Sequence, residues 1–115
     1  MIVSVLIPFF KGNLKNFIIK AKKNTEKYSF IEYIITIDNI NYQVDKDIRK
    51  ILEQTSIKLY KNNFNIGTYK TQILNFNKSN GKYVILSSDD TFLNYDYLSL
   101  IEKLIKNNKN LDVCL

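Results

Sequence analysis

Four short runs of β-branched and aromatic residues, each followed by a segment of helical periodicity, restrict this chain to one fold class. Ile2-Val3-Ser4-Val5-Leu6-Ile7 is stopped by Pro8 and reads as a buried strand. From Gly12 the period changes: Leu14, Phe17, Ile18, Ala21, Thr25 and Tyr28 recur at helical spacing, with Lys15, Lys20, Lys22 and Lys23 mostly elsewhere on the wheel. Residues 31–37 form a second strand ending at Asp38-Asn39. Val44, Ile48, Ile51 and Leu52 line one face of a short helix, with Asp45 as its N-cap. Residues 57–60 are a third strand, followed by a turn-rich segment over 62–67. The spacing predicts a helix over 68–79, with Tyr69, Ile73 and Phe76 as its apolar contacts and Gly81 just beyond its end. Residues 83–86 are the fourth strand, closed by Ser87-Ser88-Asp89-Asp90. Leu98, Ile101, Leu104 and Ile105 mark a last amphipathic helix, and residues 111–115 alternate like a strand.

This order predicts an α/β fold: a three-layer, mostly parallel sheet with helices on both faces, in a single domain over residues 1–115. A chain of 115 residues can bury about two thirds of the surface it exposes when unfolded, enough for one core. Right-handed crossovers then align the carboxyl ends of the strands along one edge, where open α/β sheets bind ligands. The polar clusters Pro8-Phe9-Phe10-Lys11, Asp38-Asn39, 62–67 and 87–90 all fall at that edge.

Composition removes several chemistries. With no His there is no His general base and no His-ligated zinc, and the lone Cys114 excludes an internal disulfide or a Cys cluster. Acid, base or metal chemistry must come from carboxylates, hydroxyls, Lys, Tyr or amides, and hard oxygen ligands suit Mg²⁺ or Mn²⁺. The cysteine usage and the lack of a signal peptide or an apolar run of about 18 residues point to a cytoplasmic protein. The net charge of +6 does not single out nucleic acid: all but Arg49 of the 17 basic residues are Lys, and they are scattered. The chain also lacks the glycine-rich fingerprints of dinucleotide-binding and P-loop folds, and the G-x-S-x-G elbow of hydrolases.

What remains is carboxylates after strands. Asp89 and Asp90 are placed to hold a divalent cation bridging phosphate oxygens, or equally to cap the next helix and face solvent. Asp38 is placed to accept a hydrogen bond from a base N–H or a sugar hydroxyl, or to make an ordinary Asx-turn.

As an ordered set, the segments resemble the amino-terminal, nucleotide-sugar-binding half of inverting family 2 glycosyltransferases with the GT-A fold. Residues 3–10 are similar to that family's opening strand and Pro-containing turn, and residues 32–39 to its second strand and acidic loop. Asn65-Ile66-Gly67 matches its N-x-G, and residues 81–90 match its G-x-Y-x-x-x-x-x-D-D. The resemblance implies that Pro8 and Phe9 sit against the nucleotide base and that Asp38 hydrogen-bonds it, commonly uracil. Ser87 falls at the first acidic position of the D-x-D element, beside the nucleotide. Asp89, with Asp90, would bind Mg²⁺ or Mn²⁺ on the diphosphate of a UDP-sugar.

The same resemblance implies transfer to a glycan or lipid-linked acceptor, with peripheral membrane contact at the inner face of the membrane. It spans the first half or less of a typical member, which implies a truncated domain whose acceptor half and catalytic base lie beyond Leu115. Three departures stand out: Ser87 replaces the first Asp of D-x-D, Asn39 the second acid after strand two, and Gln72 an Arg found in many members. They leave a second function open, a non-catalytic nucleotide-sugar-binding or partner-binding module of the same fold. Gly67 reads as a turn residue, and Tyr69 and Tyr83 as core.

Overall fold

The computed structural model describes residues 2–88 and 93–107. Its elements run β1 (Val3–Phe9), α1 (Leu14–Lys27), β2 (Ile31–Ile37), α2 (Ile48–Leu52), β3 (Ile57–Lys61), α3 (Thr68–Lys78), β4 (Tyr83–Leu86) and α4 (Tyr95–Asn107). The four strands form one parallel sheet in the order β3-β2-β1-β4. The chain therefore winds outward from β1 to β3 and returns past β1 to β4. Because parallel crossovers are right-handed, that reversal carries α3 to the face opposite α1. The result is the three-layer α/β arrangement read from the sequence. The alternating run at 111–115 lies outside the described residues.

Strand parity sorts the sheet into two unlike faces. Val3, Val5, Ile7 and Phe9 of β1 join Ile31, Tyr33, Ile35 and Ile37 of β2 on one face. Leu14, Phe17, Ile18 and Ala21 of α1 cover them, and Ile48, Ile57, Ile85, Leu98 and Ile101 complete this core. The helical periodicity thus marks the buried stripe of α1 as far as Ala21, after which Asn24 rather than Thr25 is buried, and Asn13 caps that helix by accepting the Asn16 N–H at 3.0 Å.

The opposite face carries Ser4, Glu32, Thr36 and Asp38 among Leu6, Pro8 and Ile34, and every one of these is buried. Buried polar groups need partners, because an unmet donor or acceptor costs about 1–3 kcal/mol. This requirement decides how α3 lies, and it overturns the expected packing of that helix. Thr71 and Asn75 are its buried residues, whereas Tyr69, Ile73 and Phe76 are 79%, 44% and 56% exposed. The Thr36 hydroxyl donates to Asn75 Oδ1 at 2.5 Å, and Gln72 Nε2 donates to the Leu6 carbonyl at 3.0 Å. An inward apolar stripe would have left those groups unmet. Tyr83, by contrast, packs against the core as expected, while Tyr69 does not.

A second correction concerns α2. Asp45 does not cap it through its side chain; its carbonyl receives the Ile48 N–H at 3.2 Å, and Asp47 stands at the N-cap. The Asp47 carboxylate pairs instead with Lys15, which draws it onto α1.

The polar face also anchors the entry to β4. Glu32 accepts from the Ser4 hydroxyl at 2.5 Å and from the Asn80 N–H at 2.7 Å, with the Lys58 ammonium 3.7 Å away. The Ser4 oxygen in turn receives the Gly81 N–H at 2.8 Å. Burial pushes the Glu32 carboxyl upward, but its bonds to Ser4 and Asn80 and the charge of Lys58 outweigh that and hold it below the usual carboxylate value. A depressed pKa adds stability above the unfolded-state value of about 4.3, and this is lost as pH falls through the folded value. Acid titration of folding should therefore show a loss of stability below about pH 4 that is reduced in Glu32→Gln. A Cβ on Gly81 would lie 2.6 Å from the Ser4 backbone nitrogen and 2.9 Å from the Tyr83 carbonyl oxygen. Gly81→Ala should cost about 2 kcal/mol or more in chemical denaturation, as overpacking against backbone does.

Candidate functional site

At the carboxyl ends of β1 and β2, Pro8, Phe9, Phe10, Asp38, Asn65, Gly67 and Thr68 enclose a cavity of about 290 Å³. Parallel pairing sets Phe9 beside Ile37, and the Asp38 N–H then donates to the Phe9 carbonyl at 2.7 Å. The chain turns upward from both strands at this level, which opens the hollow.

Asp38 organises its far wall. Its Oδ1 accepts from Asn62 Nδ2 at 3.1 Å and from the Ile66 N–H at 2.8 Å, and its Oδ2 accepts from the Gly67 N–H at 2.8 Å. Burial pushes this carboxyl up, yet the Ile66, Asn62 and Gly67 donors together hold it below its ordinary value. A carboxylate offers about four acceptor positions, so one on Oδ2 remains unfilled among the described residues. Gly67 meets the clamp at φ +92, in the left-handed region, and a Cβ there would find nothing within 4 Å to crowd it. Its role is thus conformational, a turn residue as the sequence implied.

The Asx-turn considered for Asp38 falls one residue later. Asn39 Oδ1 accepts the Asn41 N–H at 3.1 Å, and Asn39 Nδ2 donates to the Phe10 carbonyl at 2.8 Å. Asn65 Oδ1 accepts the Ile40 N–H at 3.0 Å, so the turns after β1, β2 and β3 are tied together around the hollow.

The structure brings Pro8, Phe9 and Asp38 into one cavity, with the two aromatic residues differing in exposure. Phe9 is 2% exposed, edge-on to Tyr42 at 5.3 Å, whereas Phe10 is 50% exposed on the rim. Parity carries the signal: Phe9 continues the inward series Val3, Val5, Ile7, and Phe10 breaks it. Asn65, within the polar segment 62–67 expected at this edge, lines the cavity, as does Thr68, which nothing in its local sequence marks.

Ser87 does not line this cavity. It stands at the end of β4, where its N–H donates to the Leu6 carbonyl at 3.1 Å and its carbonyl lies 3.5 Å from Gln72 Nε2. The Gln72 amide also accepts from Asn75 at 3.0 Å, so it braces the ends of β1 and β4. Asp89 and Asp90 lie outside the described residues. Among the described residues, no three Asp, Glu, His or Cys side chains are grouped to hold a metal ion.

Two further hollows have other characters. One of about 520 Å³ runs between α3 and β4, walled by Tyr69, Ile73, Phe76 and Leu86, and is almost wholly apolar. Another of about 490 Å³ lies at the opposite end of the strands among Lys22, Glu26, Glu53 and Ser56. Of these three hollows, the one at Asp38 combines the carboxyl edge, an aromatic rim and a buried charged acceptor, the combination expected of a small polar ligand's seat.

The sequence matches no protein-family model and no curated protein. Among solved structures, the chain is similar to S. aureus TarS residues 1–349, with TM-score 0.72 and 18% identity over 95% of this chain and 33% of that one. The same TarS fragment in complex with UDP is similar to the same extent. A longer TarS structure gives 0.71 and 18% over 93% of this chain and 20% of that one. The chain thus spans a third or less of the structures it resembles, and at this identity the likeness establishes a shared α/β fold.

Proposed function

We propose that this chain is the nucleotide-sugar-binding part of a glycosyltransferase, of the inverting family 2 type with the GT-A fold, and that the cavity at Asp38 seats the base of a UDP-sugar. The observation that carries this reading is the buried Asp38 carboxylate, which keeps one acceptor position in a cavity rimmed by Pro8, Phe9 and Phe10. A fold shared with a protein crystallised with UDP supports it. So does the ordered set of segments, Asn65-Ile66-Gly67 and residues 81–90 above all.

In this reading the base lies in the apolar mouth, and an imide N–H completes the coordination of Asp38. The diphosphate extends toward the end of β4, past Ser87. Three N–H donors already hold Asp38 and in this reading the base takes its remaining acceptor position, which leaves Asp89 and Asp90 to hold Mg²⁺ or Mn²⁺. Bound there, the cation would neutralise charge developing on the departing nucleoside diphosphate. The chain's own residues bind and orient the donor. A glycan or lipid-linked acceptor, its general base and a membrane face belong to the proposal through the family resemblance alone. No helix among the described residues is long and apolar enough to cross a membrane.

One observation favours the alternative, a non-catalytic nucleotide-sugar-binding module. The Gln72 side chain, at the place of an Arg in many relatives, brings no positive charge and is engaged with the Leu6 carbonyl and Asn75.

Thermal unfolding with UDP, UDP-sugars and other nucleoside diphosphates, each with and without Mn²⁺, tests the reading. At a hundred times its dissociation constant, UDP should add about 2.7 kcal/mol. The gain should shrink without Mn²⁺ or in Asp89→Ala and vanish in Asp38→Ala. A folded chain whose unfolding no nucleotide shifts would contradict donor binding. Turnover in a longer chain then separates the transferase from the binding module.

A further inference from the structure

We infer that Asn62 is a positioning residue for this cavity, one that fixes the Asp38 carboxylate and with it the Asn65–Gly67 wall without touching a ligand. The identity of the ligand rests on the nucleotide reading above; the clamp itself does not. Asn62 is absent from the cavity lining, yet its side chain joins the two elements that shape the cavity. Its N–H donates to the Ile37 carbonyl at 2.9 Å, which extends the β2–β3 ladder by one step and fixes its backbone. Its Nδ2 then donates to Asp38 Oδ1 and to Thr71 Oγ1, both at 3.1 Å.

Both protons of that amide are therefore engaged. One restrains the carboxylate that closes β2, and the other reaches a fully buried hydroxyl on α3. Ile66 and Gly67 tie the Asp38 carboxylate only to the turn it is to hold, whereas Asn62, fixed to the β2–β3 ladder and to Thr71, ties Oδ1 to the sheet and α3 and restrains a last torsion whose well is otherwise broad. With Asn62 and Ile66 both on Oδ1, the plane is set: Oδ2 meets Gly67, and the remaining acceptor position has a fixed direction. A fixed acceptor costs a ligand less ordering than a rotating one. Lys61, the neighbouring cation, is occupied elsewhere, its ammonium on the Tyr42 carbonyl at 2.8 Å.

The test uses Asn62→Ala and Asn62→Asp beside the unaltered chain, with two readouts. In the absence of ligand, the amides of Ile66 and Gly67 should exchange with solvent about tenfold faster in Asn62→Ala while the sheet amides keep their protection. UDP should bind about tenfold more weakly to Asn62→Ala, and its advantage over CDP, whose base has no imide N–H for Asp38 to accept, should narrow. In Asn62→Asp two carboxylates face each other and share a proton, so one pKa is raised. A protonated carboxyl can donate where the amide did. Measured as a ratio to the unaltered chain at each pH, which cancels the ionisation of the UDP phosphate itself at about pH 6, the UDP affinity of that variant should recover as pH falls from 8 toward about 5.

Unchanged Ile66 and Gly67 exchange in Asn62→Ala would overturn the clamp. So would UDP affinities in both variants equal to that of the unaltered chain. If the unaltered chain itself fails to bind UDP, the nucleotide reading falls, and the exchange rates still decide the role of Asn62.

Discussion

One face of the β1–β2 pair carries four buried polar side chains, Ser4, Glu32, Thr36 and Asp38, and the rest of the molecule is arranged to satisfy them. Two of the four are carboxylates, the most costly groups to remove from water. Each lies in a ring of donors drawn from distant parts of the chain. Glu32 gathers Ser4, Asn80 and Lys58, which ties the start of β4 to three strands. Asp38 gathers Asn62, Ile66 and Gly67, which folds the turn after β3 back over the end of β2. Thr36 lies between them on the same face and holds α3 through Asn75. The apolar face with α1 supplies the larger share of hydrophobic stabilisation. The polar face sets where α3 and β4 must lie, because a shift of register would leave a charge without partners.

This division explains what the sequence revealed and what it withheld. Strands and helices were legible because their periods, two and 3.6 residues, are written into local patterns such as Leu14, Phe17, Ile18 and Ala21. The packing side of α3 was not. Its apolar residues Tyr69, Ile73 and Phe76 form a helical stripe, and a stripe reads as inward-facing when the opposing surface is assumed apolar. That surface is polar at Thr36 and Asp38, so Thr71 and Asn75 won the buried positions. The same limit applies at the N-terminus of α2, where a tertiary contact with Lys15, 32 residues away in sequence, took the carboxylate of Asp47.

The site was legible in outline for the same reason. Topology places strand ends together, so Pro8, Phe9 and Asp38 were bound to meet at one edge. What topology cannot give is the occupant of each lone pair. The donors on Asp38 include two backbone amides nearly thirty residues downstream, and no residue type announces a backbone N–H. The burial of Phe9 and the exposure of Phe10 were available from parity alone. Asn62 was not, since an asparagine in a turn-rich segment carries no mark of which side chain it will meet.

In the proposed function, the hollow framed by Asp38 is where a nucleotide sits. The most direct test is a two-dimensional ¹H–¹⁵N titration of the chain with UDP. The claim predicts saturable shifts concentrated at Phe10, Asp38, Asn65, Ile66, Gly67 and Thr68. Saturable shifts confined to the apolar groove at Ile73 and Phe76, or to the hollow at Lys22 and Ser56, would contradict it, as would a well-dispersed spectrum that UDP leaves unmoved.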